Sequence, residues 1–405
     1  MSNARSVRFL DRSTPPHIAT LILIAGLAAL SLNIFLPSLP LMADHFGVGY
    51  GVVQLSVSLY LAATAVLQVF VGPISDRYGR RPVMLVATAI FTLASFGAVF
   101  APSFGLFLTC RLLQAAIATG FVLSRAVVRD MVAQNEAASM IGYVTMGMSV
   151  VPMVGPVIGG ALGEVFGWQS TFVLLGLGGL ALLALVWADQ GETNLRRSGS
   201  MADQLAQYPQ LLRSQRFWGY CLAAAFASGA FFAYLGGAPF IGLDVFHLRP
   251  ATLGFYFGAP ALGYMLGNFL SGRFSVRMGV DRMVMAGALL TTAGLGLLLA
   301  LDLAGIMGPG IFFGLVITVG LGNGILLPNA NAGMLSVRPD LAGTAAGLGG
   351  AFTVGGGALF SALAGALLQP GSGPMPLILI MLGCSALPVL SVLWMTRDGR
   401  GTPAV

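Results

Sequence analysis

The chain has 405 residues, of which 57% are hydrophobic and only 8% are charged. A soluble globular protein carries roughly 25% charged residues, and a fold of this length cannot bury so much apolar surface away from water. The composition therefore excludes a soluble protein and predicts an integral membrane protein, in which lipid surrounds the apolar surface.

The net charge of +6 rests on arginine alone, because the chain contains no lysine. In a soluble protein this charge would suggest nucleic acid as a partner, but here the arginines collect in alternate loops between apolar stretches. Arginine-rich loops stay on the cytoplasmic side of a membrane, and the opposite loops hold only Arg249. The pattern indicates that both termini are cytoplasmic, and it predicts no nucleic-acid partner.

Apolar stretches of about 20 residues follow one another along the chain, and this is the length that a helix needs to cross a bilayer. Backbone groups in lipid must be hydrogen-bonded within the protein, so each stretch predicts a helix rather than a strand. We therefore predict an all-α membrane protein with 12 transmembrane helices. In chain order, the predicted spans are residues 18–39, 52–72, 82–101, 104–128, 139–163, 167–188, 216–240, 251–272, 283–301, 308–329, 342–367 and 375–396.

The polar stretch 189–215 is the one long connection, and it divides six predicted spans from six. We expect an N-terminal six-helix bundle over residues 1–188, a cytoplasmic linker over 189–215 and a C-terminal six-helix bundle over 216–405. Gly, Ser, Arg and Gly of residues 72–79 recur 200 positions later. Two pseudo-symmetric bundles around a central site are a common plan of secondary transporters.

The sequence Gly-Pro-Ile-Ser-Asp-Arg-Tyr-Gly-Arg-Arg-Pro occupies residues 72–82, between the second and third predicted spans. It places Asp76 beside Arg77, Arg80 and Arg81 in a tight turn. One explanation is an ordinary arginine-rich cytoplasmic loop. The complete pattern, however, resembles the loop signature of the major facilitator superfamily of transporters.

Further stretches carry the same resemblance. Arg111-Leu-Leu-Gln114 resembles the family's Arg-x-x-Gln motif. Gly155-Pro156-Val-Ile-Gly159-Gly160 resembles the signature of its antiporter branch. Residues 36–40, 124–130 and 234–240 resemble the 12-span drug:proton antiporters of the bicyclomycin and chloramphenicol resistance group.

This resemblance implies export of drugs or amphipathic metabolites from the cytoplasm by alternating access, driven by inward proton flow. It implies a multi-pass protein of the inner (cytoplasmic) membrane. The small-molecule substrate, protons and the lipid bilayer would be its partners, and a monomer is expected.

The resemblance also implies a cytoplasmic gate, in which Asp76 faces the N-terminus of the eleventh span and Asp130 pairs with Arg80 or Arg81. Residues 155–160 would seal or hinge one half against the other, and ordinary glycine packing is the alternative. The candidate gating residues are Asp76, Arg77, Arg80, Arg81, Asp130, Gly155, Pro156, Gly159 and Gly160.

Arg111 lies about seven residues inside the fourth predicted span. A charge within the membrane is costly unless it is paired or wetted, and it marks a functional site by default. The alternative is a structural arginine that is satisfied by Gln114 and backbone carbonyls.

One position departs from the resistance group, in which an aspartate stands four residues before the proline of the first span. Asn33 occupies that place and cannot titrate, and no Asp or Glu falls near the middle of any predicted span. The candidates for proton coupling are then Asp44, Glu164 and Asp244, all on the outer side. Because the clear charge within the spans is positive, an anionic or neutral substrate is favoured over a cation.

The family resemblance implies a substrate cavity between spans one, four, seven and ten. Aromatic surfaces suit varied amphiphilic ligands because they adapt their packing, although each phenylalanine could equally pack in the core or against lipid. The candidate substrate-binding residues are Asn33, Phe35, Arg111, Gln114, Phe231, Tyr234, Tyr264, Asn323, Asn329 and Phe352.

Three functions remain open at this point. The first is a proton-coupled exporter of drugs or amphipathic metabolites. The second is an exporter or facilitator of one specific metabolite, with anions among the candidates, without strict proton coupling. The third, a membrane-embedded enzyme or sensor, is disfavoured because the sequence lacks His-Glu-x-x-His, Gly-x-Ser-x-Gly and a phosphate-binding loop with lysine. We expect no catalytic residue, no cofactor and no metal site.

Overall fold

The computed structural model describes residues 7–131, 140, 144, 151, 154–194, 208–338 and 342–397. The regular elements within these residues are all helices. Ten of the described helices are long and apolar enough to cross a membrane. The predicted class, an all-α membrane protein, is therefore confirmed.

Twelve helical stretches are numbered here in chain order, and a short helix, Tyr208–Leu212, precedes the seventh. Their bounds are α1 Ile18–Phe46, α2 Tyr50–Tyr78, α3 Arg80–Val99, α4 Phe104–Val128, α5 Val154–Phe166, α6 Gln169–Asp189, α7 Gln215–Val245, α8 Pro250–Phe257 with Ala259–Met278, α9 Val280–Leu303, α10 Pro309–Val337, α11 Ala342–Leu367 and α12 Met375–Arg397.

The predicted fifth and eighth spans differ from the described helices, as does the first. Most of residues 139–153, in the predicted fifth span, lie outside the described part of the chain. The predicted eighth span is two helices that meet at Gly258. The interruption follows from Pro260, which has no amide hydrogen to donate to the carbonyl of Tyr256.

The helix α1 is also interrupted, and it runs further than predicted. Regular α-helix ends at Asn33, a 3₁₀ turn covers Leu36–Ser38, and a second α-helical piece covers Leu39–Phe46. Pro37 lacks the amide hydrogen that would bond the Asn33 carbonyl, so the helix bends at this point.

The helices pack in two groups that follow chain order. In the first six, α3 packs on α6, and α1 packs on α4 and α6. In the last six, α10 packs on α8 and α9, and α7 packs on α11 and α12. The groups meet where α2 contacts α11. The exact domain bounds, 1–188 and 216–405, stay a prediction.

Two faces of the bundle need names. The basic face contains the arginine-rich turns, residues 76–82 and 273–282, together with residues 189–194. The distal face is the opposite one, and it contains the connections at residues 46–50 and 246–250.

The contact between α8 and α10 depends on glycine. A Cβ atom added to Gly320 would lie 1.7 Å from the carbonyl oxygen of Pro260, and one added to Gly263 would lie 2.2 Å from that of Ile317. The two backbones therefore touch directly, as small residues allow between membrane helices.

We expect Gly320→Ala to lower the thermal unfolding midpoint, because its methyl group must force α10 away from α8. Overpacking of this kind costs about 1–3 kcal/mol. Gly314→Ala is the matched control on the same helix, since its added Cβ meets nothing within 4 Å. Alanine also improves helix propensity at both positions. Equal midpoints for the two variants, measured by tryptophan fluorescence in detergent, would contradict this packing.

Candidate functional site

Arg111 is fully buried in α4, in the half of the helix that is nearer the distal face. Its guanidinium carbon lies 4.3 Å from the ring centroid of Phe35 and 4.5 Å from that of Tyr60. Cation–π attraction acts within about 6 Å of a ring centroid. The ring of Phe172, in α6, lies at 5.8 Å. Three aromatic rings, from α1, α2 and α6, therefore stabilise the charge, and no carboxylate of the described residues forms an ion pair with it.

A chain of hydrogen bonds fixes one end of the guanidinium. Its Nη1 donates to Oε1 of Gln114, and Nε2 of Gln114 donates to Oγ of Ser95 over 2.7 Å. Ser95 in turn donates to the carbonyl of Phe91, also over 2.7 Å. Arg111, Gln114 and Ser95 thereby connect α4 to α3.

The rest of the guanidinium keeps its hydrogen-bonding capacity. Nε and Nη2 of Arg111 have no hydrogen-bond partner among the described residues. The alternative of a purely structural arginine, satisfied by Gln114 and backbone carbonyls, therefore holds only in part, because Gln114 bonds one of the three guanidinium nitrogens. A buried donor without a partner costs free energy. A hydrogen-bond acceptor beside these two nitrogens would remove that cost.

Backbone breaks surround Arg111. The bend of α1 after Asn33 turns Phe35 onto the guanidinium, and α4 changes to a 3₁₀ turn at Ala115–Ala118. The amide of Asn33 donates to the Ala29 carbonyl over 2.8 Å, while its buried Oδ1 has no described partner. Such interruptions within helices often mark functional hinges.

The candidates on the last six helices lie in other surroundings. The Asn323 amide donates to the carbonyl of Ala227, and that of Asn329 donates to Oγ of Ser271. Both asparagines thus tie α10 to its neighbours, α7 and α8.

The aromatic candidates form separate groups. The ring of the fully buried Tyr234 lies 5.4 Å from that of Phe257, and Phe352 meets Trp218 edge to face with 5.0 Å between centroids. Phe231 and Tyr264 are partly buried. The structure therefore assembles only Phe35, Arg111 and Gln114 of the predicted site into one contacting cluster. It adds Tyr60, Ser95 and Phe172, which sequence reasoning missed.

An ion pair joins the two groups of helices on the distal face. Glu164, near the end of α5, pairs with Arg249, which immediately precedes α8. The second carboxylate oxygen of Glu164 accepts the amide hydrogen of Ala251 over 3.2 Å. An exposed ion pair contributes little by itself, but Glu164 also caps the first turn of α8, whose amides lack helical partners.

Backbone contacts continue this seal between α5 and α8. A Cβ on Gly160 would lie 2.4 Å from the Pro250 carbonyl oxygen, and one on Gly254 would lie 2.3 Å from that of Pro156. Gly159, by contrast, packs within the first six helices, 1.6 Å from the Ile34 carbonyl by the same measure. Gly155 likewise lies against α1. Of the four candidates, Pro156 and Gly160 therefore face the other group.

Two polar side chains of α2 extend the seal to α7 and α11. The Tyr50 hydroxyl donates to the Gly236 carbonyl. The Gln54 amide donates to the carbonyl and the hydroxyl of Ser361, over 2.9 and 2.7 Å. Sequence reasoning missed both residues, and together with α5 and α8 they join the two groups across the distal face.

The three proton-coupling candidates lie along the distal rim, away from the Arg111 cluster. Asp44 and Asp244 are exposed, at the ends of α1 and α7, and Glu164 is the partner of Arg249. Their role in coupling stays a prediction.

We expect Glu164→Ala to open the distal face more than Arg249→Ala does, because only the first change also removes the cap of α8. Spin labels at cysteines that replace the exposed Phe166 and Leu303 would measure the distance between the groups. The native Cys110, Cys221 and Cys384 are buried and would stay unlabelled.

Asp302→Ala removes an acid of the same face and is the control for that experiment. Unchanged distances in Glu164→Ala, or a shift no larger than that of the control, would show that the contacts of Glu164 do not hold this face.

On the basic face, Arg80 lies at the centre of an ionic cluster. Its Nη2 lies 2.6 Å from Oδ1 of Asp76, its Nε lies 3.2 Å from Oδ2 of Asp130, and its Nη1 donates to Ser75. Of the two predicted partners of Asp130, the structure selects Arg80. Arg81 instead donates to the Trp187 carbonyl over 3.0 Å.

Two other gating predictions have different outcomes. The Arg77 guanidinium lies over the ring of its neighbour Tyr78, at 5.4 Å. The expected contact of Asp76 with the N-terminus of α11 involves the chain around residues 339–341, which lie outside the described residues.

Sequence comparison matches the chain to the Major Facilitator Superfamily over residues 21–361 and 243–405. A chloramphenicol resistance protein of Pseudomonas aeruginosa is 31% identical over 325 residues, which cover 78% of this chain and 76% of that protein. A bicyclomycin resistance protein homolog of Haemophilus influenzae is 28% identical and covers 95% and 97%. Multidrug resistance protein D of Escherichia coli is 29% identical and covers 90% and 92%.

Among solved structures, a bacterial homolog to the human lysosomal transporter Spinster, in an inward-facing and occupied conformation, is similar with a TM-score of 0.73. The identity is 18%, and the match covers 95% of this chain and 96% of the other. At this identity the likeness concerns the fold alone.

Proposed function

This chain belongs to the major facilitator superfamily, a family of membrane transport proteins that are not enzymes, and we propose that it exports drugs or small amphipathic metabolites from the cytoplasm. Three similar proteins bear names that refer to chloramphenicol, bicyclomycin and multidrug resistance. They support efflux of drugs as the direction of transport and the class of substrate.

The observation that carries the proposal is the seal on the distal face. Glycine backbones and a few hydrogen bonds join the two groups of helices there, and these contacts can separate without unfolding either group. By the positive-inside rule the distal face is the external one. Separation of this seal, with closure on the basic face, would constitute alternating access about a site near Arg111.

We further propose that inward proton flow drives export. The acids on the external rim, Asp44, Glu164 and Asp244, would meet protons as they enter, and they carry the coupling in this scheme. No acid of the described residues pairs with Arg111, so the rim acids are the ones to which this scheme assigns coupling.

We expect chloramphenicol transport in proteoliposomes to accelerate when a pH gradient is imposed and to return to the basal rate when an ionophore dissipates it. Liposomes without protein give the leak rate. Equal rates with and without the gradient would exclude proton antiport and leave facilitated transport.

Drug-susceptibility assays on overexpressing cells separate a multidrug exporter from a transporter of one specific metabolite, because resistance to several unrelated drugs supports the multidrug exporter.

The second candidate function, transport of one anionic metabolite without strict proton coupling, is favoured by Arg111. Its charge is buried without an ion-pair partner among the described residues, and two of its nitrogens have no hydrogen-bond partner there. A carboxylate or a similar acceptor would satisfy both needs at once.

Binding of 2-naphthoate, 2-naphthamide and 2-naphthylmethylamine separates the two candidates, since these probes share a ring and differ in charge. If the site selects anions, naphthoate binds best, and Arg111→Met weakens it about tenfold or more, which corresponds to roughly 1.4 kcal/mol. Arg111→Lys should retain part of this affinity, and Arg277→Met on the basic face should change nothing. Equal binding of the three probes, or preference for the amine, would exclude an anion-selective site.

A further inference from the structure

A stretch of six residues, Asp189–Asn194, consists of the last residue of α6 and the five that follow it. It contacts the basic-face ends of α1, α2 and α3 and the side chain of Asp130. The sequence presents this stretch only as the start of a polar connection between α6 and α7. We call it the post-α6 segment. Its contacts go beyond those that a passive connection needs.

Asp189 ties the segment to the N-terminal part of the chain. This carboxylate is fully buried and accepts the amide hydrogens of Leu10, over 2.7 Å, and His17, over 2.9 Å. It also accepts the Thr20 hydroxyl over 2.6 Å. Three donors to one buried carboxylate make a charge-assisted anchor, which holds the first turn of α1.

Glu192 ties the segment to α3. Its two carboxylate oxygens accept the amide hydrogens of Arg80, over 2.9 Å, and Arg81, over 3.2 Å. These amides belong to the first turn of α3 and have no helical partner, and a negative charge is stabilising at a helix N-terminus. A Cβ on Gly79, whose φ is +99°, would lie 2.3 Å from Oε2 of Glu192, so the approach itself requires glycine.

The next two residues reach the ionic cluster of Asp76, Arg80 and Asp130. The Thr193 hydroxyl donates to Oδ2 of Asp130 over 3.1 Å, the same oxygen that Arg80 Nε contacts at 3.2 Å. The Asn194 amide donates to the carbonyl of Asp76 over 3.0 Å. The segment therefore contacts every member of the cluster.

We infer that the post-α6 segment positions Arg80, and that Glu192 is the positioning residue of the basic-face gate. By fixing the first turn of α3, Glu192 sets the place from which Arg80 reaches Asp76 on one side and Asp130 on the other. The segment is also the start of the connection between α6 and α7. The inference is independent of the substrate and of proton coupling.

Electron paramagnetic resonance on the full-length protein tests the inference. Spin labels at cysteines that replace Tyr78 and Val276, both exposed on the basic face, report loop mobility and the distance between the two groups. We expect Glu192→Ala to increase mobility at position 78 and to shift the distance distribution as Arg80→Ala does. The double variant should go no further, because the two residues act on one contact.

Three variants serve as comparisons. Asp11→Ala removes an exposed acid near the same face whose carboxylate bonds Ser13, and it should leave both readouts unchanged. Asp189→Asn should lower the thermal unfolding midpoint with little effect on the label at position 78. Glu192→Gln keeps one acceptor oxygen, should give an intermediate effect, and carries the test if Glu192→Ala does not fold.

Two results would overturn the inference. One is an unchanged label mobility and distance distribution in both Glu192 variants. The other is full additivity of Glu192→Ala and Arg80→Ala, which would mean that the glutamate acts on stability elsewhere and not through the arginine.

Discussion

The arrangement of the first six helices depends on one physical demand, the stabilisation of the Arg111 charge within the membrane. No carboxylate from the described part of the chain forms an ion pair with it. A charged side chain costs several kcal/mol at this depth unless the protein compensates for it. Phe35 and Tyr60 supply aromatic faces, and Gln114 with Ser95 supplies a hydrogen-bonded chain. These side chains come from four helices, so the single guanidinium fixes how α1, α2, α3 and α4 lie about one another.

The two faces of the bundle are held by different chemistry. On the distal face, contact between the groups of helices is mainly backbone against backbone, with Glu164 capping α8. On the basic face, the described contacts of Arg80, Asp76 and Asp130 lie among the first six helices and the residues that follow α6. At a glycine contact, two helix backbones pack directly against each other. In a network of ion pairs, the strength of each interaction depends on the position of the other partners. The distal face is therefore closed mainly by main-chain packing, and the basic face is held by charged side chains.

Much of the fold could be predicted from the sequence, because lipid requires long apolar helices and places arginine on one side. The interruptions within α1 and α8 were harder to predict from the sequence. Pro260 was visible, yet a proline within a membrane helix is compatible with a kink as well as with a break. The length of α1 was missed since its last turns are mixed in composition.

The candidate site was predictable only where a residue was unusual in itself. A lone arginine in an apolar span drew attention, as did Gln114 three residues later, which is one helical turn away. Tyr60 and Ser95 gave no such signal, because a tyrosine or a serine in a membrane helix is common and their contacts join distant parts of the chain. Glu192 was missed for a related reason. An acid in a polar stretch is expected to be solvated, and only the structure shows that the first turn of α3 lies beside it.

The main-chain seal of Gly160 against Pro250 and of Gly254 against Pro156 has a consequence for how such a protein changes over time. In these two contacts the atoms that meet belong to the main chain, whereas the cluster around Arg111 is made of side chains. Substitutions that reshape the binding surface can therefore accumulate while the closing machinery stays intact. A lineage built this way can exchange one cargo for another without rebuilding its moving parts.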